Sequence, residues 1–185
     1  FTPHKIITMG QGGMVLSNNS KAHEYITKLK TFNRSTDKVD WHEGFGLNFK
    51  ITDLQAALGL SQFSKLDRFI KNKKQNYYHY KNYIENDNVE VMSFNENEIP
   101  WFFDMKVKSL DLKNEIIHSL KSEGIETRSL YPALSKQKYL RKYSSSNLNN
   151  SENIFDKILW LPSSNDLEEN DIKLISTAIN SIKIP

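Results

Sequence analysis

Cysteine is absent from the sequence, which excludes disulfides and thiolate metal sites and fits a reducing, cytoplasmic setting. No apolar run approaches the ~20 residues of a membrane-spanning helix. A surplus of charge is missing too: 25 basic residues are interleaved with 22 acidic ones, for a formal net charge of +3. That balance offers no electrostatic footprint for nucleic acid. Glycine is scarce, seven in 185 residues, yet three of the seven fall within positions 10–13. They form no Walker-type phosphate loop, because Gly10-Gln11-Gly12-Gly13 lacks the G-x-x-x-x-G-K-[ST] spacing and its lysine. No initiator methionine stands at position 1, and the chain is expected to begin inside a longer protein. No metal site is expected.

What is present is enough to fold. Ten Phe, eight Tyr and three Trp can fill a core in a chain that is 38% hydrophobic. Residues 5–19 place a lysine before a short apolar run, then the glycine cluster, then a second apolar run, which predicts two strands joined by a tight turn. The apolar spacing predicts a helix over 21–32 with Ser20 as its N-cap. After a polar connector over 33–46, Thr52 and Gln55 make a capping box that opens a second helix. A longer helix follows over 64–84. Its basic run, Lys71, Lys73 and Lys74, is expected to be a solvated face. Beyond the turn at Asn86-Asp87-Asn88 the texture becomes that of an α+β module. Strands are predicted over 89–94 and 101–107, a helix over 112–122 closed by Gly124, and a short strand over 125–128. A mobile Ser/Asn-rich loop is predicted over 143–153, a last strand over 158–162 and a terminal helix over 167–182. Domains are therefore expected at 1–86 and 87–185.

Several stretches, in one order, carry a resemblance. Phe1, Lys5, Ile7, Thr8, Gly10, Gly12, Gly13, Met14 and Val15 resemble the segment that bears the cofactor lysine in sugar aminotransferases of the DegT/DnrJ/StrS family. Gln11 departs mildly from the acidic residue often found there. Trp41-His42 with Gly46-Leu47-Asn48-Phe49-Lys50 is similar to the W-H-P-x-x-G-Y-N-Y-R stretch of that family's perosamine-synthase branch. Asp53-Leu54-Gln55-Ala56-Ala57-Leu58-Gly59-Leu60 resembles its N-L-Q-A-A-I-G-L helix. Pro100-Trp101-Phe102-Phe103, Gly124-Ile125-Glu126-Thr127-Arg128 and Leu161-Pro162-Ser163-Ser164 resemble small-domain stretches.

The resemblance implies an α/β chain of the fold-type-I, aspartate-aminotransferase-like class: the end of the large pyridoxal-phosphate domain plus the small C-terminal α+β domain. It implies a transaminase that moves an amino group, expected from glutamate, onto a nucleotide-linked 4-keto-6-deoxy sugar for O-antigen-type polysaccharide. It also implies a homodimer with shared active sites, and inactivity of this half alone. Lys5 would carry pyridoxal 5'-phosphate and move the proton; a dehydratase of the same family is the second reading within the fold, and Lys5 argues against it because those enzymes carry histidine there. Asn48 would reach the cofactor phosphate of the neighbouring subunit, against the alternative of a purely local Asx turn. Lys50 keeps the charge of the usual arginine but not its fork.

His42 is a candidate substrate or phosphate contact, with a hydrogen-bonded loop histidine as the alternative. Arg128 and Tyr131, at a strand end, are candidates for gripping a pyrophosphate or sugar hydroxyl, against a plain ion pair for the arginine. Ser135 stands where many relatives carry histidine. A different class remains open at this level: a non-catalytic relative that binds a nucleotide sugar or a partner protein.

Overall fold

A computed structural model of the chain describes residues 1–143 and 148–182. Helix α1, Ser20–Lys30, begins one residue earlier than its pattern suggests, because Asn19 and not Ser20 is the cap. Its Oδ1 accepts from the Ala22 amide at 3.2 Å, which satisfies one of the four orphan donors of a helix start. Helix α2, Asp53–Phe63, opens on the capping box read from sequence: Thr52 Oγ1 accepts from the Gln55 amide and the Gln55 side chain accepts from the Thr52 amide. Neither helix buries a residue. Leu54 and Leu60 of α2 are 85% and 72% exposed.

The predicted hairpin at the start of the chain does not form; none of residues 1–19 is in a strand. Instead the segment closes on itself. The Phe1 amino group donates to Gly12 O at 3.0 Å, and Phe1 O accepts from the Met9 amide and from Thr8 Oγ1. Gly10 and Gly12 hold φ of 81° and 124°, conformations glycine adopts freely and a strand cannot use. The backbone groups are thus spent on a loop.

The chain divides after Leu66 into two compact units, earlier than the 86/87 boundary expected from sequence. Helix α3, Leu66–Tyr83, explains the difference, since it gives Tyr77 and Tyr80 to the core of the second unit. That core is built on four antiparallel strands in the order β1-β2-β4-β3: Val89–Val91, Phe103–Val107, Arg128–Ser129 for β3 and Ile158–Leu161 for β4. Strand residues alternate between faces. Phe103, Met105, Leu159 and Leu161 face Leu112, Ile116 and Leu120 of α4 (Leu110–Ser122) together with Ile172, Ile175 and Ile179 of α6 (Glu169–Ser181). Asp104, Trp160 and Arg128 fall in register on the opposite side. Gly124, at φ 75°, ends α4 as expected: its amide and that of Ile125 return to the Lys121 and Leu120 carbonyls in a Schellman arrangement.

The loop expected over 143–153 is in part helical, with α5 spanning Asn149–Ile154. Its residues 144–147 lie outside the described residues.

Lys73 corrects the reading of the basic run. It is 5% exposed, and its ammonium donates to Trp101 O at 3.1 Å and to Ser163 O. It is one of a row of donors on α3: Asn72 Nδ2, Asn76 Nδ2 and Tyr80 Oη bind the carbonyls of Asn165, Leu167 and Pro162. The row stitches the helix to the segment after β4. Lys73→Met keeps the stem but orphans two carbonyls, and is expected to lower stability by about 2 kcal/mol.

Burial also lowers the Lys73 pKa to about 8, against about 10.4 in an unfolded chain. Between those values the unfolded state holds the proton that the folded state has released, so stability due to Lys73 rises with pH in that window. The urea midpoint of the wild type should therefore pull further ahead of Lys73→Met on going from about pH 7 to about pH 10. A constant gap would show that burial does not depress the lysine.

Candidate functional site

Lys5 stands on a tight turn, its amide bonded to Thr2 O at 3.1 Å, and its side chain is exposed. The loop that carries it is anchored by Met9, which is 7% exposed. Met9 lies so close to α2 that a methyl group at Gly59 would sit 3.2 Å from its Sδ. A primary amine is thereby held on a loop closed by its own backbone bonds.

Asn48 is placed by the end of α1. Chain 46–49 runs back along the last turn of that helix, so the Leu47 and Phe49 amides satisfy the Leu29 and Lys30 carbonyls at 2.7 and 3.1 Å. These are carbonyls the helix leaves without partners. Thr31 and Asn48 then face each other in an antiparallel bridge, with Asn48 exposed. Gly46 is required here: a Cβ would fall 2.1 Å from the Phe32 carbonyl carbon.

Phe32 is the residue the sequence did not single out. It holds φ of 64°, followed by Asn33 at 49°, a turn of the chain that is unusual for a phenylalanine. The Arg34 guanidinium carbon lies 5.4 Å from its ring centroid and Lys50 Nζ lies 6.0 Å from it. His42 meets its edge, centroids 6.3 Å apart. His42 Nδ1 is 2.8 Å from Phe32 O. A carbonyl can only accept, so Nδ1 carries the proton and Nε2 of the neutral ring is the acceptor. His42 is thus a hydrogen-bonded loop histidine, exposed as a residue, with Nε2 left as its acceptor. Arg34, Lys50 and His42 gather on one aromatic ring, beside the strand-like pair that places Asn48. No sequence periodicity signals such a cluster, since it depends on two consecutive left-handed residues.

In the second unit the structure brings Arg128 and Tyr131 together. Arg128 lies with its guanidinium carbon 5.0 Å from the Tyr131 ring centroid and 5.6 Å from that of Trp160. Both Arg128 and Tyr131 are exposed, so the planar fork stays open to an anion. Ser135 Oγ donates to Glu152 at 2.6 Å; it serves the loop rather than standing open.

Among the described residues, no helix is long and apolar enough to cross a membrane. The GDP-perosamine synthase of Escherichia coli O157:H7 is 28% identical over 97% of this chain and 50% of its own length. The protein of Bacillus subtilis named as the putative pyridoxal phosphate-dependent aminotransferase EpsN is 26% identical over 92% of this chain and 46% of its own length. The crystal structure of the aminotransferase TlmJ from Streptoalloteichus hindustanus superposes with a TM-score of 0.82 at 16% identity, over 95% of this chain and 48% of that one. The chain thus spans about half the length of the curated relatives it matches. Its fold is that of the fold-type-I transferases. The family model of the DegT/DnrJ/EryC1/StrS aminotransferases matches residues 1–180, and the chain belongs to that family.

Proposed function

We propose that the protein carrying this chain transfers an amino group, with glutamate as donor, to C4 of a nucleotide-linked 4-keto-6-deoxy sugar. The product would feed amino-sugar synthesis for an O-antigen-type polysaccharide, in the cytoplasm. The observation that carries this reading is Lys5: a primary amine on a closed, exposed turn, inside a family match that runs through residues 1–180. The perosamine-synthase names of its relatives support the sugar class.

Pyridoxal phosphate is the cofactor of this family, and the residues of the first unit suit it. An amine answers an aldehyde, while an exposed amide at Asn48 near the cations Arg34 and Lys50 answers a phosphate. When bound, the cofactor supplies the electron sink for the transfer. Lys5 Nζ holds it and moves the proton of the reaction, which requires that the amine be neutral for part of the cycle. Asn48 donates its amide to the phosphate of the site in the neighbouring subunit of a homodimer. His42 offers Nε2 to substrate or phosphate. Arg128 grips the diphosphate of the nucleotide sugar through its fork, with Tyr131 beside it as a hydroxyl partner. The 185-residue chain supplies Lys5 and these contacts, and is inactive by itself.

The test is chemical. Borohydride reduction of the complete gene product with pyridoxal phosphate should add one phosphopyridoxyl mass to the peptide that contains Lys5, and none in Lys5→Ala. Label elsewhere only, or label that survives the substitution, would remove Lys5 from the role and leave a non-catalytic binder as the better reading.

A further inference from the structure

Trp160 organises a group of side chains on the sheet face turned away from the helices. It is 6% exposed, although the core cluster of the second unit lies on the other face. Phe102 stacks on it with ring centroids 4.2 Å apart and planes 10° apart. Tyr131 meets it edge-on, 5.0 Å and 85°. Its indole Nε1 donates to Asp104 Oδ1 at 2.6 Å. Asp104, Trp160 and Arg128 are cross-strand partners on three neighbouring strands, β2, β4 and β3, so the alignment is set by register.

A buried indole N–H requires an acceptor, and an amide or hydroxyl would serve. Here the acceptor is a carboxyl group that is itself half-buried; burial raises its pKa, while the bond from Trp160 acts to lower it. A carboxylate that accepts from an indole pushes electron density into the ring and makes its face more attractive to a cation. The cation at that face is Arg128, 5.6 Å from the indole centroid and 5.0 Å from the Tyr131 ring.

We propose that Asp104 and Trp160 are positioning residues for Arg128. Asp104 locks the indole, and the indole, with Tyr131, holds the exposed guanidinium in the orientation in which it meets a diphosphate. An arginine ordered beforehand loses less freedom on binding, so preorganisation appears as affinity. This inference rests on the reading of Arg128 as the substrate-gripping arginine.

The test is a double-mutant cycle read by calorimetric titration of the complete gene product with GDP, and with UDP in parallel. Arg128→Gln should weaken binding at least about tenfold. Asp104→Leu should weaken it about three- to tenfold, and Asp104→Asn, which keeps an acceptor oxygen but not the charge, should fall between Asp104→Leu and wild type. In the Arg128→Gln background, Asp104→Leu should change affinity less than about twofold. That loss of effect distinguishes positioning from general damage to the fold.

If Arg128→Gln leaves affinity unchanged, or if neither nucleotide binds, the reading of Arg128 falls and the proposal falls with it. If Arg128→Gln weakens binding while Asp104→Leu does not, Arg128 stands and the positioning proposal is overturned. An equal effect of Asp104→Leu in both backgrounds overturns it in the same way. Should Asp104→Leu fail to fold, Trp160→Phe, which keeps an aromatic face but removes the donor, takes its place in the cycle with the same expected outcomes.

Discussion

Lys5→Ala in the complete gene product is expected to lower amino transfer from glutamate by at least about three orders of magnitude. Alanine removes the only atom of that residue able to bond a carbonyl carbon, and no charge elsewhere replaces a nucleophile. The fold should not suffer. The side chain is exposed, and the turn is closed by the backbone of Lys5 on Thr2 O, a bond alanine keeps. Far-UV dichroism and the melting transition should therefore match the wild type. Lys5→Arg sharpens the result, since a guanidinium keeps the positive charge yet does not give up its proton. If the lysine acts only as a charge, the arginine variant should retain most of the activity. If it acts as a nucleophile, both variants should be inactive. Activity above about a tenth of wild type in Lys5→Ala would take the residue out of the reaction.

Where local chemistry decides, the sequence and the structure agree. Thr52 and Gln55 lie three residues apart, and both bonds of the capping box are made. Gly124 ends α4 because only the last turn of the helix and one positive φ are involved. The strand at 103–107 and the helix at 169–181 follow from apolar periodicity that one buried face reads directly. Local strings also single out Lys5, Asn48, Arg128 and Tyr131 as candidates, and the structure leaves all four exposed.

What could not be read is non-local. In the run Lys71, Lys73 and Lys74, nothing in the spacing says which cation turns inward. Lys73 does so because Trp101 O and Ser163 O, 28 and 90 residues away, meet at its ammonium. Asp104 and Trp160 pair for the same reason, across 56 residues. The first segment failed in the other sense. Its apolar runs suit a strand, but a strand needs a neighbour's edge, and here Phe1 takes the bonds of Met9 and Gly12. The division after Leu66 has no local signal: Asn86-Asp87-Asn88 reads as a turn, while the choice of unit depends on what Tyr77 and Tyr80 pack against.

Asn48 carries the second large expectation, and it tests the shared site. If its amide serves a phosphate, Asn48→Asp sets a carboxylate against that phosphate, and cofactor binding should fall sharply. The bridge to Thr31 is made by the backbone, so the substitution should leave the end of α1 in place. Two full-length variants, Lys5→Ala and Asn48→Asp, should each be inactive as homodimers. Reassembled together in equal amounts, half of the dimers pair one chain of each kind. In such a dimer the Asn48→Asp chain keeps its own Lys5 and receives an intact Asn48 from its partner, which makes one whole site; the other site is doubly broken. Half of the dimers with one working site out of two gives about a quarter of wild-type activity. If Asn48 instead served the Lys5 of its own chain, every site in every mixture would lack one of the two groups. Activity that stays at the level of the parents, with heterodimers verified by intact mass, would place both residues in one chain and end the shared-site reading.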